Sequence, residues 1–506
     1  MADTMDAMNA SAESILEGLD EAQRLAATTV QGPVRIIAGA GAGKTRTVTR
    51  RIAYACASGR WDERKVLAVT FSVKAAAEMR SRLAALSVGE GVKAATFHSA
   101  ALHQLRRVWS DISDSYFPTV IRDPQACLDR ALKRVIAGDN PFHPVQMRDL
   151  LHEVDWCKVS LIAPEDYPRV CSALHRQPPA GIDSQRFADI AIAYEQEKTN
   201  RGEIDFNDIL LIACHVMDDF PEAARTIRSS IGWLTVDEYQ DVSPLQHRLM
   251  KLWLNGNTNV CVVGDPAQTI YSFAGASSYD LLHFSEEFAP LAADVNLATD
   301  YRSTPEVVNC ANTVLQAAPN REDYLILNAV RPKGARVLKI AYDHDVQEAM
   351  DIAQRIAQWK RQGVSLDDCA ILTRINNQQS VIARALYQEG LKYRVRRDSG
   401  WQQSALDVDG SDKEIALAAH GIAREEAVTI STIHASKGLE FKHVFIVGCS
   451  EGLMPYGSPD PGDDLEEERR LMYVGITRAQ DSLQLSFARS KEQGGAASRQ
   501  GSRFLA

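Results

Sequence analysis

The sequence predicts an α/β protein made of two parallel-sheet units, the first interrupted by an all-helical insertion. Three observations carry this. Apolar runs of strand length alternate with helical periodicity on both sides of the insertion, which implies parallel strands joined by right-handed crossovers. Between Ala101 and Arg201 strand signals fade, while helical segments recur at Cys127–Ile136, Met147–Val159 and Phe187–Lys198. Finally, the apolar run Val34–Ala38 passes through the small residues Gly39-Ala40-Gly41-Ala42-Gly43 straight into a helical pattern opened by Lys44-Thr45.

Taken in order, the chain opens with a small, acidic lead (1–18) that reads as disordered and carries no signal-peptide pattern. Asp20 is placed to cap a short helix carrying Gln23. After Val34–Ala38 a helix runs from Lys44 to about Ala57, with Gly59 as its stop. Val66–Phe71 reads as a second strand, followed by a Ser72-capped, alanine-rich helix to about Leu86. Val92–Phe97 reads as a third strand, ending in His98-Ser99. Beyond the insertion (101–201), strands return at Trp233–Val236 and Val260–Val263. These positions assign 19–100 and 202–285 to the first unit and 286–506 to the second. Candidate strands of the second unit are Val337–Ile340, Ala370–Thr373, Val428–Ser431, Val444–Val447 and Leu483–Phe487. The stretch 398–426 has little strand signal and reads as a surface connector.

Composition narrows the function. A chain of 506 residues with 45% hydrophobic and 24% charged residues is ordinary for a soluble globular protein. No apolar stretch is long enough to span a bilayer. Nine scattered cysteines without a Cys-x-x-Cys pair argue for a reducing cytoplasm and against a disulfide framework or zinc site. The net charge of -10 argues against a non-specific nucleic-acid coat, though a local basic groove remains compatible with it.

The chemistry starts at residues 38–45. Small side chains let backbone N–H groups surround a phosphate, and the new helix directs its positive end there. Lys44 supplies a point charge and the Thr45 hydroxyl a Mg²⁺ ligand. This is a phosphate-binding P-loop in which Ala38 stands where the usual pattern has its first glycine. Asp237-Glu238 follows an apolar strand, at the strand end where α/β sheets bind ligands. Asp237 can hold Mg²⁺ and Glu238 can polarise an attacking water. Gln268, after the next strand, is either a sensor of the terminal phosphate or an ordinary loop glutamine. Arg302 and Arg478 are either surface arginines or the cations that phosphoryl transfer requires.

These segments occur in a recognisable order. Gln23; Ala38–Thr45; Thr70-Phe71-Ser72-Val73-Lys74-Ala75-Ala76; Thr96-Phe97-His98-Ser99; Asp205-Phe206-Asn207-Asp208; Val236–Asp241; and Gly264-Asp265-Pro266-Ala267-Gln268-Thr269-Ile270-Tyr271-Ser272-Phe273 lie in the first half. Asp300-Tyr301-Arg302-Ser303, Thr429–Phe441 and Glu467–Ala479 lie in the second. The chain resembles a superfamily 1 helicase of the UvrD/Rep/PcrA type from about Leu19 to Leu505.

The resemblance implies two RecA-like P-loop lobes with ATP and Mg²⁺ between them. It assigns Gln23 to adenine recognition, Tyr301 to stacking on the base and Glu440 to the ribose. Ala38, Gly39, Ala40, Gly41, Ala42, Gly43, Lys44, Thr45 and Arg46 hold the phosphates. Lys44, Thr45, Asp237, Glu238 and Gln268 form the hydrolytic centre, completed by Arg302 and Arg478 from the second lobe. Thr45 and Asp237 are the metal ligands. Phe71, His98 and Phe273 match residues lining the family's single-strand path, and aromatic stacking on bases is sequence-tolerant. Phe273 stands where tryptophan is common. Thr432 and His434 match backbone-contacting or coupling positions. Lys74 and Arg80 are candidates to hold DNA phosphates, with a solvated helix face as their alternative; for Phe71 the alternative is core packing.

The family's long helical insertion in the second lobe is reduced here to the connector. The expectation is therefore a compact ATP-dependent helicase or translocase on single-stranded and tailed duplex DNA, of 3′→5′ polarity. Repair or replication proteins are its expected partners, with no membrane association. A protein-displacing translocase with little unwinding, and an ATP-binding scaffold subunit of a repair complex, are the rival readings.

Overall fold

The computed structural model describes residues 12–136, 141–396, 425–491 and 498–505. In chain order the strands are β1 (Val34–Ala38), β2 (Val66–Thr70), β3 (Lys93–Thr96), β4 (Thr119–Val120), β5 (Glu203–Ile204), β6 (Trp233–Val236), β7 (Val260–Gly264), β8 (Ala293–Leu297), β9 (Thr299–Asp300), β10 (Asn328–Ala329), β11 (Leu338–His344), β12 (Cys369–Thr373), β13 (Tyr393–Arg396), β14 (Val428–Thr432), β15 (Phe441–Ile446) and β16 (Ala479–Ser490). Two six-stranded sheets form, ordered β3-β2-β6-β7-β1-β8 and β11-β16-β15-β12-β14-β13. Every pairing within them is parallel. The inner strands β2, β7, β12 and β14 are buried at every residue, as expected for parallel strands covered on both faces.

The local signals in the sequence explain the helices around the site. Asp20 caps Glu21–Thr28, accepting from the Gln23 amide at 2.7 Å while the Gln23 side chain returns to the Asp20 amide at 3.2 Å, a capping box. Ser72 caps Val73–Ala85 by accepting from the Ala75 amide at 3.1 Å.

Four expectations are corrected. Residues 12–18 of the supposed disordered lead are ordered: Ala12, Ile15 and Leu16 are buried, and Arg46 and Arg50 donate to the carbonyls of Gly18 and Ile15 at 3.0 and 2.7 Å. The remainder of the lead, 1–11, lies outside the described residues. The first sheet does not end at 285, because β8 pairs with β1 from Val34↔Ala293 to Ala38↔Leu297. The third strand stops at Thr96, whose hydroxyl accepts from the Ser99 amide at 3.1 Å and so starts the helix Phe97–Ile112. That helix packs into the first lobe's core through Ala101, Leu105 and Val108. The insertion's separate core therefore begins near Ile121 and runs to Tyr194, rather than starting at 101. The two-residue strands β4 and β5 pair at its neck.

The edge strand β13 was not anticipated from the sequence. Of the connector 398–426, all but Glu425 and Glu426 lies outside the described residues.

Candidate nucleotide site and the facing aromatic row

β6, β7 and β1 are neighbours, and their carboxyl ends carry Asp237-Glu238, the Asp265–Gln268 turn and the P-loop respectively. Ala38 is the last residue of β1, with its methyl fully buried in the apolar core. The left-handed turns fall later, at Gly41 and Gly43 (φ +72° and +76°), so the departure at Ala38 costs nothing. Gly43 precedes the helix Lys44–Ala57 with no side-chain cap, which leaves first-turn amides to meet an anion.

Lys44 Nζ lies 3.3 Å from Glu238 Oε2. Burial alone would lower the lysine's pKa, but Glu238, Asp265 and Asp237 outweigh it and hold the ammonium above its usual range. Glu238 has a left-handed backbone (φ 54°), a strained conformation for a non-glycine residue. Its Oε2 also accepts from Gln240 Nε2 at 2.6 Å. Burial would raise Glu238, yet Lys44 and Lys437 bring it down to about 2. Asp237 moves the other way, to about 7, through burial and then the Glu238 charge. Asp237, buried beside the ionised Glu238, leaves this end of the site short of positive charge. Thr45, in the first helical turn, and Asp237 are the oxygen donors that would suit Mg²⁺ here.

Gln23 donates to the Ala42 carbonyl at 3.0 Å. Tyr301 sits beside it: its amide donates to the Gly41 carbonyl at 3.1 Å and its hydroxyl to Asp20 at 2.5 Å. The Tyr301 ring is 41% exposed, leaving surface for a flat partner. Arg46 is turned towards the N-terminal segment, donating to Gly18.

The second lobe completes the wall. Gln268 Nε2 donates to Asp265 Oδ2 at 2.7 Å, and its Oε1 accepts from Arg478 Nη2 at 3.4 Å. Burial, then the charge of Arg302, lowers the Arg478 guanidinium to about 10. Arg302 itself is turned to Glu440 and to the Thr477 carbonyl (3.2 Å), so two expected nucleotide contacts are here paired with each other. Two groups given no role from the sequence also enter the site. Lys437 Nζ lies 2.6 Å from both Asp241 Oδ2 and the Gln268 carbonyl. The Tyr473 hydroxyl lies 3.3 Å from the Ala40 amide. Both belong to motif segments, but only folding shows that they cross the cleft.

The Gln268 loop continues into an aromatic row. Phe71 stacks on Tyr271 with centroids 5.6 Å apart, and Tyr271 meets Phe273 edge-on at 6.0 Å. Phe273 is 63% exposed and lies 6.1 Å from His434 across the cleft. Burial, then Arg374 and Lys437, lowers His434 to about 4, so its imidazole is neutral at pH 7. Thr432 is buried and accepts from the Ala435 amide at 3.2 Å, shaping the turn that carries His434.

Two DNA-contact expectations are corrected in part. His98 is buried, stacked 3.8 Å from Phe206 and pushed by burial down to about 3, so it supports the surface from beneath. Arg80 donates to the Ala94 carbonyl at 2.6 Å and is a structural tie. Lys74 is exposed on its helix.

The fold and site define a P-loop protein whose phosphate loop is completed from a second parallel-sheet lobe. Comparison with known proteins narrows this further. A profile for the UvrD/REP helicase N-terminal domain matches residues 19–289, and one for the UvrD-like helicase C-terminal domain matches 295–400 and 413–490. ATP-dependent DNA helicase UvrD2 of Mycobacterium tuberculosis (strain H37Rv) is 37% identical over 584 aligned positions, covering 98% of this chain and 82% of that protein. ATP-dependent DNA helicase PcrA of Bacillus subtilis (strain 168) is 31% identical over 394 positions, covering 77% of this chain and 51% of PcrA. The chain belongs to the UvrD-like helicase family. Among the described residues no helix is long and apolar enough to cross a membrane.

Proposed function

We propose that this protein is an ATP-hydrolysing motor that moves along single-stranded DNA, 3′ to 5′, and separates strands. The observation that carries this reading is one short loop. Gln268 faces Arg478 at its start, and Phe273 stands exposed in the aromatic row five residues later. A change in how the lobes meet over phosphate is thereby felt at a surface suited to stacking bases. The relatives' names as ATP-dependent DNA helicases support the same reading.

In this mechanism the P-loop amides and Lys44 bind the phosphates. Glu238 orients and deprotonates water. Arg478 and Arg302 approach as the lobes close, with Arg302 leaving Glu440. An arginine supplied in this way is worth roughly 10³–10⁵ in rate in P-loop enzymes. Mg²⁺, held by Thr45 and Asp237, would screen the phosphate charge.

The test is steady-state ATP hydrolysis with and without an oligo-dT strand, beside unwinding of 3′- and 5′-tailed duplexes. Stimulation by the single strand and unwinding from the 3′ tail are expected. No stimulation by any nucleic acid overturns the motor reading. The protein-displacing alternative has one specific observation in its favour. The alignment with the mycobacterial relative spans 584 positions, more than the 506 residues of this chain, so that relative carries residues with no counterpart here. Translocation without unwinding would select that alternative.

A further inference from the structure

Between Gln268 and Ser272, the loop linking the two sites meets the second lobe along one helix, Asp463–Ile476, with the turn that follows it, and also at Lys437, which donates to the Gln268 carbonyl at 2.6 Å, and at His434, whose carbonyl accepts from the Tyr271 hydroxyl at 3.2 Å. Ser272, beside Phe273, donates through its amide to Glu467 Oε1 at 3.3 Å and through its hydroxyl to Glu467 Oε2. The Thr269 carbonyl accepts from Arg470 Nε at 2.7 Å. Gln268 accepts from Arg478, whose own Nε is fixed on the Val474 carbonyl at 3.0 Å. Glu467, Arg470 and Val474 recur at helical spacing and so share one face. The contacts run in opposite order along the two segments: the start of the helix meets the Phe273 end of the loop, and its far end meets the phosphate end. From Glu467 to the helix end at Ile476, two residues before Arg478, the helical rise covers roughly 14 Å. A helix is stiff over that length, so a shift of the Phe273 end cannot be absorbed between them.

We propose that Glu467 and Arg470 are positioning residues that set Arg478 against Gln268 according to where the Phe273 loop stands. Among their described contacts neither touches the P-loop or the faces of the aromatic row. Their hydrogen bonds are charge-assisted and hold the loop at two points from a single rigid element. The loop is also fixed from its other side. A Cβ on Gly275 would fall 2.5 Å from Val159 Cγ2, so the insertion closes the space into which the loop could slide. At the loop end, Ser272 is held by Glu467 and its neighbour Tyr271 by the His434 carbonyl, so Glu467 is the link that a side-chain change outside the aromatic row can remove.

This inference rests on the motor reading above, and one experiment separates their failures. ATP hydrolysis is measured against oligo-dT concentration for the intact chain and for Glu467→Ala, Ser272→Ala, the double variant and Arg470→Lys, with thermal melting of each. Glu467→Ala is expected to keep the DNA-free rate within about twofold and the half-saturating oligo-dT concentration within about threefold. Maximal stimulation falls at least about tenfold, from the loss of the two charge-assisted hydrogen bonds to Ser272. Ser272→Ala, which keeps the amide bond, loses less, and the double variant loses no more than Glu467→Ala, which already removes both bonds. Arg470→Lys, which keeps a donor near Thr269, retains more stimulation than Glu467→Ala. Stimulation equal to wild type overturns the proposal. So does an equal loss of basal and stimulated rates with a lower melting temperature, or full stimulation reached only at higher oligo-dT. A wild type that DNA does not stimulate overturns the motor reading itself, and the inference with it.

Discussion

Replacing Glu238 by glutamine tests the hydrolytic assignment most directly, because the substitution preserves shape and removes only charge and basicity. Glu238 Oε2 takes both Gln240 Nε2 at 2.6 Å and Lys44 Nζ at 3.3 Å. A glutamine oxygen can still accept from Gln240, so the strained turn keeps its hydrogen bond. What is lost is a carboxylate kept ionised by Lys44 and Lys437, the state a base needs. General-base catalysis contributes about 10²–10⁴ in rate, or about 3–5 kcal/mol of barrier. Nucleotide binding moves the other way: Lys44 no longer has Glu238 competing with phosphate, so affinity is expected to stay level or rise. The assay pairs single-turnover phosphate release with titration of a fluorescent ATP analogue. Turnover at least a hundredfold lower, with unweakened binding, is expected. Turnover within about threefold of wild type would remove Glu238 from its role, and lost binding would make it a structural residue.

Glu348, buried beneath the second sheet, bonds to Ser486 Oγ at 2.6 Å and is pushed by burial up to about 7. Its native pKa exceeds the unfolded value, so it is neutral across the acid range and costs stability as pH rises from about 4.5 to 7. Glu348→Gln should flatten that fall, gaining about 3 kcal/mol relative to wild type by pH 8; parallel urea-denaturation profiles at pH 5 and 8 would refute it. Lys198 is 2% exposed and lies 2.7 and 2.5 Å from Asp205 and Asp208, which Lys158 also contacts. Lys198→Met leaves Asp205, Asp208 and Glu195 sharing Lys158 alone and should cost about 3–5 kcal/mol in urea unfolding, whereas a loss below about 1 kcal/mol would show that the remaining charges compensate. Phe273→Ala removes an exposed stacking face and should raise the oligo-dT concentration for half-maximal stimulation about tenfold, from about 1–3 kcal/mol per stacked base. An unchanged midpoint would place the strand elsewhere.

The parts of the fold that were legible from sequence are those whose cause is local. The P-loop, the Asp20 and Ser72 caps and the strands leading to Asp237 and Gln268 each combine an apolar run with a turn or cap within a few residues. β8 escaped because Asp294 and Asn296 break its apolar run; it is an edge strand, and only β1 makes it one. β13 escaped for the same reason, with Arg394 and Arg396 alternating along an exposed edge. The helix Phe97–Ile112 looked like the start of the insertion because periodicity does not show which core its apolar stripe faces. At the site, the acidic pair and the Gln268–Arg478 approach follow from the motif segments. Arg302 pairing with Glu440 within the second lobe, and Lys437 reaching Asp241 from the second lobe to the first, each bridge more than a hundred residues of intervening chain, which no window of sequence contains.

The P-loop glycines answer two demands at once. A phosphate needs bare backbone, which explains small residues at 39–43. Yet the same surface seats the second half of the chain. A Cβ at Gly39 would lie 2.1 Å from Leu327 Cδ2, and one at Gly41 would lie 2.2 Å from Asp300 Oδ1. Ala40 and Gly41 also bond to Tyr473 and Tyr301 through backbone groups. Side chains here would hold the lobes apart as well as obstruct phosphate. Asp300, Tyr301, Leu327 and Tyr473 all meet the loop itself, so their positions respond to the loop's contents. A phosphate entering the loop must compete with the Tyr473 hydroxyl for the Ala40 amide, and in doing so acts on the helix that carries Arg470 and Glu467. Ala38 lies one residue outside this contact, behind the loop in the core of the first sheet, which is why it alone can carry a methyl group where the usual pattern has glycine.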